Sequence, residues 1–161
     1  MTTLHHTSVN LPENVREELV RLLNRRVGLF TDLYVQTKLA HWNVRGPHFI
    51  AYHELFDSIA SHLLVAQDSM AERAAALGGQ AGMTVQAVAE ESGLGQWPIE
   101  TRQDSAVIHL VGDRLARAAG QIRQDIDTAA NLGDADTADL FTEVSRQLDQ
   151  DLWFVEAHYT E

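Results

Sequence analysis

The chain has 161 residues, of which 45% are hydrophobic and 22% charged, a composition typical of one globular domain and unlike that of disordered or low-complexity chains. It contains no cysteine, which excludes disulfides, thiolate zinc sites and catalytic thiols, so any bound metal must be held by histidine and carboxylate side chains. Lys and Arg number 12 against 23 Asp and Glu, and the net charge of −11 disfavours nucleic acid and anionic membranes as partners and favours cations.

The beginning of the chain carries no targeting pattern. Residues 1–10 contain neither Lys nor Arg and no long apolar run, which argues against a secretory signal or a transit peptide. No run of about 18 apolar residues that would cross a membrane occurs elsewhere. We therefore expect a soluble, cytoplasmic protein with a short tail over residues 1–10 and one domain over residues 11–161.

The long segments follow a helical period, with apolar residues three and four positions apart, and no segment alternates as a strand would. The predicted fold class is therefore all-α. Helices are expected at residues 12–45, 49–77, 84–91, 101–131 and from 136 onward, with Asn10 as a candidate cap of the first. The connection over residues 78–100 is long for a compact bundle, which indicates a crossover between distant helix ends. The prediction is a four-helix bundle with a short extra helix between the second and third long helices.

Four potential metal ligands lie on one face of the second predicted helix. His53 and Asp57 are four residues apart, as are Asp68 and Glu72, so each pair lies together on the helix surface. The step from Asp57 to Asp68 corresponds to about 1100° of rotation and about 16 Å of rise, so the pairs share a stripe but cannot bind the same ion. They can serve one site only if two copies of the helix pack antiparallel in a twofold dimer.

His41 lies at the end of the first predicted helix, one Gly-Pro turn before His53, where it could complete the cluster. Imidazole and carboxylate ligands with open positions suit Fe(II) and, less selectively, Mn(II) or Zn(II). Taken singly, such residues are more often surface or satisfied core groups than ligands. Ile50 and Leu64 near the carboxylate stripe favour the metal site, because unpaired carboxylates beside apolar groups are costly. Spacing alone leaves the metal site and a structural role about equally supported.

Three segments carry a resemblance to a known family. Residues 38–46 (KLAHWNVRG), the pair His53-Glu54 and residues 68–73 (DSMAER) resemble the signature of the Dps family, the dodecameric mini-ferritins, and the likeness extends over nearly the whole chain. It implies a ferritin-like bundle with a two-iron ferroxidase centre at a dimer interface. Its ligands would be His41, His53 and Asp57 of one subunit and Asp68 and Glu72 of the other.

The same resemblance implies a function. Fe(II) would be oxidised at that centre, by hydrogen peroxide in preference to dioxygen, and ferric mineral would be stored in a hollow shell of twelve subunits, which protects the cell against oxidative damage. Zinc would be a competing occupant, because the same ligands serve both metals.

Further roles implied by the resemblance have simple structural alternatives. Trp42 would lie close to the centre without ligating, or would only pack at a helix end. Asp134 and Asp139 would line ion pores, or would complement the dipole of the last helix. Glu54 resembles an interior residue that nucleates mineral, and a solvated surface glutamate explains it equally well.

The chain departs from the DNA-binding members of the family. Its first basic residue is Arg16, and residues 156–161 contain two glutamates and no Lys or Arg. A shell of chains that each carry −11 would repel DNA at neutral pH, although His5 and His6 leave room for binding at lower pH.

Two alternatives to the ferroxidase stay open: a DNA-protecting nucleoid-associated protein, and a shell that holds fixed zinc and oxidises nothing. His48 and His62 are additional histidines that the family motif does not require. His62 could bind an accessory metal, lie at an interface between subunits or be an ordinary surface histidine.

Overall fold

Five α-helices are present in residues 4–159, the part of the chain that the computed structural model describes. They are α1 (Glu13–Asn43), α2 (Phe49–Ala76), α3 (Val85–Glu91), α4 (Asp104–Asn131) and α5 (Ala135–Glu156). Four of them are long, and α3 lies in the connection between α2 and α4. Within the described residues there is no strand, only an isolated bridge between Arg45 and Gln103. The predicted all-α bundle with a short helix in the crossover is confirmed.

Four helix starts differ slightly from the prediction, and that of α5 is Ala135 rather than residue 136. Pro12 occupies the N-cap position of α1 and no side chain caps it, so the expected role of Asn10 is wrong. α3 begins one residue later than predicted, because Thr84 is its N-cap and accepts a hydrogen bond from the backbone of Ala87. α4 begins at Asp104 rather than at residue 101, because the preceding residues are extended beside the turn between α1 and α2.

The apolar faces of the four long helices meet in a single core. α1 packs mainly against α2, and α4 packs mainly against α5, as expected for helices joined by short turns. Phe30 of α1, Phe56 of α2 and Phe141 of α5 are completely buried in this core. No helix within residues 4–159 has the length and apolar character needed to cross a bilayer.

Residues 4–10 are not helical, yet they are attached to the bundle. The backbone N–H of His5 donates to the carbonyl of Gly78 at 2.7 Å, and the Thr7 hydroxyl donates to the carbonyl of Ala76 at 3.2 Å. Val9 packs against the core from the same segment. The described part of the predicted tail is thereby held at the C-terminal end of α2.

Candidate metal centre

The turn between α1 and α2 is fixed to the start of α4. Gly46 has a φ of +149°, and a Cβ at this position would lie 2.4 Å from the Asp104 carboxyl group. Asp104 accepts the backbone N–H of His48 at 3.1 Å, and the N–H of Arg45 donates to the carbonyl of Arg102 at 2.7 Å. These contacts hold the end of α1 and the beginning of α2 in a defined register.

That register places two histidines side by side. The rings of His41 and His53 stack with their centroids 3.7 Å apart. Nδ1 of His41 lies 2.7 Å from the carbonyl oxygen of His53, and Nδ1 of His53 lies 2.9 Å from the carbonyl oxygen of His41. Because a carbonyl only accepts, each neutral ring carries its proton on Nδ1 and presents a lone pair on Nε2. This reciprocal arrangement fixes the tautomer that a metal-binding histidine needs.

Asp57 lies one turn beyond His53 and faces the same pair. Its Oδ1 is 4.0 Å from Nε2 of His41, and the Lys38 ammonium donates to the same oxygen at 2.6 Å. That hydrogen bond is the main reason why the pKa of Asp57 lies below its usual value. Lys38 is largely buried and its Nζ lies 5.6 Å from the ring centroid of Trp42. The cluster thus combines two oriented imidazoles, the ionised carboxylate of Asp57 and the ammonium group of Lys38.

Lys38 is the member of the cluster that the sequence analysis missed. It was part of the family motif but received no role. Its spacing from His41, three residues along α1, places both side chains on one helix face and is the signal that could have identified it.

Asp68 and Glu72 do not join this cluster within one chain. Both are exposed on α2, and Asp68 lies about 16 Å along the helix from Asp57. Ile50 and Leu64 near the same stripe are also exposed, at 62% and 44%. Between residues 4 and 159, no three His, Asp or Glu side chains converge closely enough to hold a metal ion. One chain by itself therefore provides only part of the predicted donor set.

Two other predicted residues lie near the cluster without contributing to it. Trp42 is 64% exposed at the end of α1, and the Lys38 ammonium lies over its ring. Glu54 is exposed on α2 and is rotated by about 100° from His53, so it points away from the imidazole pair.

The two predicted pore residues differ in their surroundings. Asp139 is exposed and borders a shallow depression near the beginning of α5. Asp134 is only 4% exposed, and both of its oxygens lie 2.9 Å from the Arg73 guanidinium of α2. Thr137 also donates to it. Burial raises the pKa of Asp134, but the hydrogen bonds from Thr137 and Arg73 outweigh burial and hold it below its usual value. Asp134 therefore connects α5 to α2 inside the bundle.

Comparison with known proteins identifies similar chains. Residues 20–161 match the ferritin-like domain family. A DNA protection during starvation protein from Agrobacterium fabrum is 40% identical over 157 residues, which cover 98% of this chain and 97% of the relative. Among solved structures, DpsA14 from Streptomyces coelicolor is 32% identical with a TM-score of 0.91, covering 98% of this chain and 93% of that one. DpsC from the same organism is 26% identical with a TM-score of 0.93, covering 99% and 93%. These similarities concern the whole bundle rather than one part of it.

Proposed function

Because this chain belongs to the Dps family of ferritin-like proteins, we propose that it oxidises Fe(II), preferably with hydrogen peroxide, and stores the ferric product in a closed shell of twelve copies. The observation that carries the proposal is the stacked pair of His41 and His53, in which Nε2 of His41 lies 4.0 Å from Oδ1 of the ionised Asp57. Two imidazoles and a carboxylate with open positions suit Fe(II). The net charge of −11 favours the approach of the cation.

The remaining ligands are proposed to come from a second copy. An antiparallel twofold pairing of α2 brings Asp68 and Glu72 of one chain opposite His53 and Asp57 of the other, and creates two equivalent centres per dimer. The exposed apolar side chains near this stripe supply area that such an interface would bury. Six dimers of this kind would form the proposed shell, with Asp139 as a pore residue and Glu54 as an interior nucleation residue.

The proposed reaction consumes two Fe(II) per hydrogen peroxide. Each Fe(II) gives up one electron, the O–O bond of the peroxide breaks, and two hydroxide ions form. Because both electrons are supplied at one centre, hydroxyl radical is not released. Subsequent hydrolysis, with two water molecules taken up, yields two ferric oxyhydroxide units and four protons overall. Zn(II) is expected to compete with Fe(II) for the same ligands.

The proposal is tested by adding Fe(II) anaerobically, then hydrogen peroxide, and following ferric absorbance and residual peroxide. Wild type is expected to consume about one peroxide per two Fe(II). Loss even of an outer partner of a metal site typically costs about 10–100-fold. We therefore expect Asp68→Ala to slow oxidation by about 100-fold or more. Asp127→Ala, at an exposed aspartate of α4, is the matched control. Equal slow rates in all three proteins would contradict the proposal.

Lys38 is expected to compete with the metal for Asp57. In Lys38→Met the carboxylate is freed, so Fe(II) binding to the metal-free protein should tighten by about twofold to fivefold, the equivalent of one partly exposed ion pair. Anaerobic calorimetric titration measures this change. Arg123→Met is the control, because it breaks the exposed pair of Arg123 with Asp149 elsewhere on the bundle. Weaker binding in Lys38→Met would show that the ammonium holds Asp57 in its binding position instead of competing for it.

A further inference from the structure

A second histidine and carboxylate pair lies between α2 and α5, away from the candidate centre. His62 is rotated by about 140° from Asp57 around α2. Its Nδ1 lies 2.9 Å from Oδ1 of Asp151, and the Gln147 amide donates to the same oxygen at 3.2 Å. Asp151 is 1% exposed, and its Oδ2 is buried with no hydrogen-bond partner among the described residues. The pair thus connects a buried carboxylate to a half-buried imidazole.

Packing alone does not explain this arrangement. A buried carboxylate with an unpaired oxygen is costly, and an apolar side chain of similar size would fill the space at lower cost. Burial raises the pKa of Asp151, and the hydrogen bonds from His62 and Gln147 oppose the shift. The Asp151 carboxylate does, however, fix the orientation of the His62 imidazole. It accepts the proton of Nδ1 and leaves the Nε2 lone pair of His62 available, as carboxylates beside metal-binding histidines do.

The His62 ring borders a groove of about 380 Å³ between α2 and α5. The other polar residues that line it are Glu143, Arg146, Gln147 and Gln150 of α5 and Ser69 of α2. Glu143 precedes Gln147 by one helical turn, which corresponds to about 6 Å along α5. The Gln147 amide nitrogen lies 3.1 Å from Nδ1 of His62, so His62 and Glu143 line the same groove about one helical turn apart.

We propose that this groove is a second divalent-metal site, in which Nε2 of His62, a carboxylate oxygen of Glu143 and water bind Fe(II), Co(II) or Zn(II). Asp151 is the positioning residue for the imidazole. With two protein ligands the site is open and exchanges its ion readily, and no oxidation occurs there. The inference does not rest on the proposed ferroxidase activity, since it concerns metal binding at residues outside that centre.

The test measures Co(II) binding in the full-length protein that carries Asp68→Ala, so that the proposed ferroxidase centre is already incomplete. Visible absorption titration gives affinity and stoichiometry, and anomalous scattering from crystals soaked in Co(II) locates the ion. We expect an anomalous peak at Nε2 of His62. Adding His62→Gln should remove one bound Co(II) per chain. Glu143→Gln and Asp151→Asn should each weaken binding by about 10-fold or more.

His109→Gln is the matched control, because His109 is an exposed histidine of α4 whose ring centroid lies 4.0 Å from that of Tyr159. It should leave the Co(II) stoichiometry unchanged, and circular dichroism and size-exclusion chromatography verify that each variant folds. Unchanged Co(II) binding in a folded His62→Gln variant, or no anomalous peak beside His62, would overturn the proposal. Neither outcome depends on iron oxidation, so the failure of this site and the failure of the proposed function are distinguishable.

Discussion

Two inactive variants, His53→Ala and Asp68→Ala, are expected to regain activity when they assemble together. In a twofold dimer of one chain of each kind, one centre receives both defects and the other receives intact His53 and intact Asp68. Random pairing makes half of the dimers mixed. About a quarter of all centres should then be complete, and the oxidation rate per chain should recover to about a quarter of the wild-type rate.

Co-expression with two different affinity tags isolates the mixed assemblies for the same Fe(II) and hydrogen peroxide assay. The matched control combines His53→Ala with Asp57→Ala, which disables the same half of the centre in both chains. This pair should show no recovery, because every centre in a mixed dimer then lacks one ligand. Recovery in neither combination, or in both, would contradict a centre shared between two chains.

The predicted stripe of ligands on α2 depended only on the helical repeat, which can be recognised directly in the sequence. α2 is continuous from Phe49 to Ala76, so the positions of its carboxylates follow from the helical repeat alone. Apart from the C-terminal end of α5, for which no position was predicted, the ends of the four long helices lie within three residues of their predicted positions for the same reason. Periodicity and turn residues are local signals, and both the helices and the spacing of the ligands along them are local features.

Contacts between helices could not be predicted in this way. The reciprocal hydrogen bonds of His41 and His53 depend on how the turn closes against α4. Asp134 was predicted to line a pore or to complement the dipole of the last helix, yet its partner Arg73 is 61 residues away on α2. His62 and Asp151 are separated by 89 residues. No pattern of neighbouring residues indicates such pairs, because they exist only once the bundle has packed.

The ion pair of Arg73 with Asp134 should make a large contribution to stability. Replacing Arg73 by methionine leaves the Asp134 carboxylate buried without its cation, and removing one partner of a buried pair typically costs about 3–5 kcal/mol. We expect Arg73→Met to lower the free energy of unfolding at pH 7 by this amount, measured by urea denaturation at one protein concentration. The exposed pair of Arg123 and Asp149 offers the control, since Arg123→Met should cost about 1 kcal/mol or less.

The pH dependence separates loss of the ion pair from loss of packing. Because the pKa of Asp134 is lowered in the folded protein, the carboxylate contributes stability above its unfolded pKa of about 3.9, and this contribution is lost as the pH falls through the lower folded value. In Arg73→Met that contribution is already absent. The difference in the free energy of unfolding between wild type and Arg73→Met should therefore be large at pH 7 and shrink below about pH 4.

The double variant Arg73→Met, Asp134→Asn should be more stable at pH 7 than Arg73→Met alone, since no buried charge is left unpaired. A penalty that stays constant from pH 7 to pH 3, or a double variant less stable than Arg73→Met, would show that packing of the Arg73 side chain, and not its charge, stabilises the contact between α2 and α5.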